Sequence, residues 1–86
     1  MKRKHTKTLE LLFKRPVSGS VKFQDVLMLL EALGATVEYN REGSRIGVLL
    51  FDETRVLHKS HPAPVMDKGA VAAVRDWLAD HGVTPS

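Results

Sequence analysis

The sequence predicts an α+β fold, a small three-stranded antiparallel sheet with helices on one face, preceded by a short extra helix. Three observations predict it. An apolar stripe at Phe23, Val26, Leu27, Leu30 and Leu33 marks a helix. Three short β-prone runs follow between residues 35 and 59. A second amphipathic stretch, with Val71, Val74, Trp77 and Leu78 on one side, comes last. The block from the Phe23 helix onward is therefore α-β-β-β-α, and consecutive strands flanked by helices give a sheet covered on one side.

Each element has its own signals. Thr6–Lys14 reads as a short helix, with Leu9, Leu12 and Phe13 at i, i+3 and i+4. Pro16 stops it, and Val17-Ser18-Gly19-Ser20 is a loop. The helix Phe23–Leu33 ends where Gly34 fits the left-handed position just past a helix terminus. Ala35–Tyr39 reads as a strand, Asn40–Ser44 as a turn and Arg45–Phe51 as a second strand. Thr54–Lys59 is the third, joined across Asp52-Glu53. The first turn lacks the Asn-Gly or Asp-Gly pair that fixes the tightest hairpins. The last helix runs Lys68–His81, with Asp67 as N-cap and Gly82 as its stop.

Bulk composition narrows the class. The 86 residues, 43% of them hydrophobic, make one domain over residues 16–86 with a basic extension at 1–15. A chain this short buries roughly 60–65% of its unfolded surface, so the core is thin. It has no cysteine, so neither disulfides nor a thiolate zinc site supplements that core. No run approaches the ~18 apolar residues of a membrane span. The Leu9-Glu10-Leu11-Leu12-Phe13 run is too short and too charged for a signal peptide, and the lack of cysteine is compatible with a reducing cytoplasm. Thirteen Lys and Arg against ten Asp and Glu give a net charge of +3. Seven cations, Lys2, Arg3, Lys4, Lys7, Lys14, Arg15 and Lys22, fall in the first quarter, where they suit phosphate contacts or a soluble tail.

The order of motifs resembles the HicA family of toxin ribonucleases. The matching segments run from Lys14-Arg15-Pro16-Val17-Ser18-Gly19 to His81-Gly82-Val83. They include Leu29-Leu30-Glu31-Ala32-Leu33-Gly34-Ala35, Glu42-Gly43-Ser44 and Asp67-Lys68-Gly69-Ala70-Val71. The resemblance implies a double-stranded-RNA-binding-domain-like fold. It also implies cleavage of messenger RNA by a cytoplasmic, metal-independent endoribonuclease that uses no cofactor and is neutralised by a HicB-like antitoxin. The family usually carries Gly-Ser-His at the hairpin turn and uses that histidine in catalysis. This chain has Gly43-Ser44-Arg45.

Such chemistry needs a base for a 2′-hydroxyl, an acid for the leaving oxygen and cations around the phosphorus. Histidine suits both proton roles, since its unperturbed pKa is ~6.5. Arginine, with a pKa above about 12, suits only the cationic one. Arg45 is therefore expected to clamp phosphate, with proton transfer by His58 or His61; the sequence does not divide acid and base roles between them. A two-residue Asp52-Glu53 turn would set Gly47 opposite His58 and make Arg45 its diagonal neighbour. A one-residue slip would undo this. Lys68, Gly69 and Ser44 are the further expected phosphate contacts, with Lys14, Arg15 and Lys22 from the basic first quarter. Asp67-Lys68-Gly69 serves equally as capping chemistry. His5 falls in the N-terminal tail, and His81 at a helix C-terminus is expected to cap it. His58 and His61 alone, three apart and without a third ligand, do not make a metal site. Trp77, at helical spacing with Val74 and Leu78, is expected in the core.

Overall fold

A computed structural model describes residues 1–39, 45–59 and 64–85. In chain order its elements are α1 (Arg3–Leu12), α2 (Phe23–Ala32), β1 (Thr36–Tyr39), β2 (Arg45–Leu50), β3 (Glu53–His58) and α3 (Lys68–Asp80). The fold is α+β, with strand order β1-β2-β3 and both pairings antiparallel. The expected turn over residues 40–44 lies outside the described residues.

The N-terminal helix departs most from expectation. It begins at Arg3 rather than Thr6, and it buries His5, Thr8, Leu9 and Leu12. Those four positions follow the i, i+3, i+4, i+7 stripe of an amphipathic helix. Two of them are polar, which hides the first turn of the stripe from a hydrophobic count. The Thr8 hydroxyl is satisfied by donating to the Lys4 carbonyl at 3.1 Å. The helix packs against both α2 and α3. Residues 3–12 are thus part of the core rather than a tail, and His5, only 7% exposed, does not sit in one.

α2 and α3 end in the same way, for the same reason. Gly34 (φ +107°) and Gly82 (φ +77°) occupy the left-handed position that L side chains disfavour. After α2, Gly34 N–H donates to Glu31 O and Ala35 N–H to Leu30 O; after α3, Gly82 N–H donates to Ala79 O and Val83 N–H to Leu78 O. Each closes the last carbonyls in a Schellman motif. At the other end of α3 the Asp67 carboxylate accepts the Ala70 N–H at 2.8 Å, as the capping signal predicts. Replacing Asp67 with alanine should lower the unfolding free energy by about 1 kcal/mol. The check is a urea denaturation midpoint, and an unchanged midpoint would show that the cap contributes nothing.

Alternation along β2 buries Ile46, Val48 and Leu50 and exposes Arg45 and Leu49. The buried set joins Leu12, Leu27, Leu30, Val71, Trp77 and Leu78 in one hydrophobic core, so the helices cover this inner face. The β2–β3 register differs from the expected one. Leu50 pairs with Glu53 and the connection is Phe51-Asp52, not Asp52-Glu53. Both turn residues have positive φ, +57° and +59°, the conformation a two-residue type I′ hairpin requires. Side-chain packing explains the choice. Phe51 stacks on His81 at 4.0 Å and meets Trp77 edge-on at 5.7 Å, while Glu53 accepts the Trp77 indole N–H at 2.7 Å.

Candidate functional site

The two-residue shift keeps every side chain on its expected face but changes its partner. Arg45 stands directly opposite His58, and Gly47 stands opposite Val56 rather than His58. Cβ atoms of directly opposed residues lie about 4.5–5.5 Å apart, closer than the diagonal arrangement expected from sequence. Arg45 and His58 are both exposed, at the open end of the hairpin and on the face the helices leave uncovered. A shallow depression of about 300 Å³ lies over Gly47, bordered by Glu38, Tyr39, Arg45 and Val56. Gly47 makes the room, since its nearest neighbours to a Cβ position are Glu38 atoms at 3.9–4.0 Å.

A second group of candidates gathers at the start of α3. Phe23 N–H donates to Pro64 O at 3.0 Å and Met66 N–H to Val21 O at 2.8 Å, an antiparallel bridge centred on Lys22 and Val65. It lays the loop before α2 against the start of α3, where a Cβ on Gly19 would come within 3.5 Å of Lys68 Cε. Lys22 and Lys68 are both exposed there. A cleft of about 240 Å³ joins His58 to Asp67 and Ala70, so the strand end and the helix start share one recess. Lys14 and Arg15 are exposed between α1 and the loop 17–20. No hydrogen bond or ion pair among the described residues ties them to this group. Ser44 and His61 lie outside the described residues.

Gly69 has a visible local task. A Cβ there would lie 3.2 Å from Asp67 Oδ1, so glycine leaves space for the cap. The Asp67 carboxylate already uses the Ala70 N–H and places a negative charge at the helix start. Any phosphate approaching there depends on Lys68 and Lys22 more than on free backbone N–H groups.

Sequence reasoning missed a hub at Glu53, which it read as a turn residue. Its Oε1 is 2.7 Å from Trp77 Nε1 and 3.3 Å from both Arg55 Nη2 and His81 Nε2. Arg55 also lies over the Trp77 ring, 5.4 Å from its centroid. Glu53 and Trp77 are 24 positions apart, and no local spacing signals the contact. Trp77 is 5% exposed, core as expected, with its polar tip spent on this carboxylate. His81 sits at the α3 C-terminus as expected, but its ring serves Phe51 and Glu53.

The Trp77 hydrogen bond, aided by Arg55 and His81, holds the Glu53 carboxyl below its ordinary pKa. A depressed folded-state pKa contributes stability above the unfolded value, about 4.3 for Glu, and that contribution is lost as pH falls through the folded value. Glu53→Gln should therefore flatten the decline of thermal stability below about pH 4.3. Melting curves of both proteins down the acid limb check this; parallel curves would mean the carboxylate is not the titrating group.

No family model matches the chain, and neither curated proteins nor solved structures yield a significant match.

Proposed function

We propose that the chain is a HicA-like toxin, a metal-independent endoribonuclease of double-stranded-RNA-binding-domain type that cleaves messenger RNA in the cytoplasm. The observation that carries this reading is the pairing of Arg45 with His58 on the uncovered face of the sheet. It sets the guanidinium, a permanent cation, beside an imidazole, the side-chain type best suited to proton transfer.

In this mechanism the 2′-hydroxyl attacks the adjacent phosphorus and the 5′-oxygen leaves, giving a 2′,3′-cyclic phosphate and a free 5′-hydroxyl. One imidazole takes the 2′ proton and a second, protonated imidazole donates its proton to the leaving 5′-oxygen; His58 fills one role and His61 is the candidate for the other. Arg45 neutralises the charge that builds on the non-bridging oxygens. Lys22 and Lys68 hold the RNA backbone beyond the scissile phosphate. A HicB-like antitoxin would silence the toxin by covering this face.

The test is incubation of purified protein with structured and unstructured RNA in EDTA, with product ends analysed for cyclic phosphate. Cleavage supports the reading. Salt-dependent RNA binding without cleavage would replace it with a second one, a catalytically degenerate RNA- or antitoxin-binding module. The apolar side chains of Leu49 (49% exposed) and Val56 (55%) on the same face favour that alternative, because they offer contact area to a protein.

A further inference from the structure

β3 is an edge of the sheet, and among the described residues no strand pairs with its outer side. Edge strands are ordinarily blunted by brevity, proline, a bulge or repelling charge. β3 has none of the first three. It is six residues long against four for β1, contains no proline and pairs with β2 residue for residue without a bulge. Nor does α3 close over it. Small residues at Ala70 and Ala73 leave two recesses between helix and strand, of about 360 and 240 Å³.

The charges on this edge are arranged to attract a copy of itself. In an antiparallel pair related by a two-fold axis, opposed residues must share a face, which restricts the alignment to alternate registers. Centring the axis on Arg55 would set Arg55 against Arg55, and centring it on Leu57 would set Arg55 against Lys59. Both juxtapose like charges. Centring it on Val56 aligns residues 53–59 in full. Glu53 then opposes Lys59, Thr54 opposes His58, Arg55 opposes Leu57 and Val56 meets its own copy. The exposed Val56 side chain gains an apolar partner at the axis.

We infer that two copies of this chain pair β3 with β3 in that register, forming a continuous six-stranded sheet. The two Arg45–His58 pairs then lie on one face, either side of the axis. The dimer stands independently of the proposed ribonuclease activity, because its evidence is the edge and not the site.

Sedimentation equilibrium of the full chain should give twice its 9.6 kDa mass at high concentration. The chain has no native cysteine, so Val56→Cys should form a covalent dimer under mild oxidant, whereas Leu49→Cys, exposed on the interior strand, should not. Val56→Lys should yield a monomer with an unchanged circular dichroism spectrum. Lys59→Glu should weaken association by about fivefold. A monomer at every concentration without cross-linking at Val56→Cys would overturn the inference. So would a dimer that survives Val56→Lys and does not cross-link. Unchanged affinity in Lys59→Glu would overturn the charge pairing that selects the register.

Discussion

RNA cleavage in EDTA is expected to fall about 10²–10⁴-fold when His58 is replaced by alanine, the range ordinarily supplied by one positioned acid or base. The His58 side chain is exposed at a strand end, so the substitution removes chemistry without removing core. Arg45→Ala should cost about 10²–10³-fold, the loss seen when one donor to a developing oxyanion is removed. Arg45→Lys should recover part of that, since a lysine keeps the charge but not the planar fork. The pattern discriminates between roles: a residue that only binds RNA would raise KM and leave kcat in place. A folded His58→Ala protein that cleaves at the parental rate would remove His58 from the mechanism. The same assay on His61→Ala addresses its proposed counterpart.

The largest structural effect is expected at Leu12. This residue is fully buried in the joint core although it belongs to the short N-terminal helix. Leu→Ala at such a site costs about 2–5 kcal/mol through lost transfer energy and the cavity left behind. Set against about 5–15 kcal/mol for a whole small domain, that is a large share of the stability. Phe13, only partly buried beside the core, should cost clearly less on truncation to alanine. Urea denaturation of both variants decides it. A Leu12→Ala loss below about 0.5 kcal/mol, the range of an ordinary surface change, would return residues 3–12 to the status of an appendage.

What was legible in the sequence follows from how local each determinant is. Helices α2 and α3 were readable because their stripes, the Asp67 cap and the two terminal glycines are near-neighbour signals. The start of α1 was not, because His5 and Thr8 are buried polar residues that break an apolar count. The face shared by Arg45 and His58 was readable from two-residue alternation; their direct opposition was not. That depended on a turn at Phe51-Asp52, where a bulky aromatic takes a left-handed conformation that propensity assigns to Gly or Asn. The Glu53–Trp77 contact joins the first residue of β3 to the last turn of α3, 24 positions on, and leaves no trace in spacing.

The Phe51-Asp52 turn also ties the site to residues at the far end of the sheet. Left-handed backbone at Phe51 costs roughly 1–2 kcal/mol, offset by the ring's packing between His81 and Trp77. Moving the turn by one residue would slide β3 along β2 by two positions and leave a different side chain facing Arg45. Strand alignment here is thus written by Trp77 in the last turn of α3 and by His81 at its C-cap. Sequence drift at Trp77 or His81 can rewire the Arg45 neighbourhood without touching it, so in any lineage sharing this hairpin those aromatic positions should co-vary with the residues at 45 and 58.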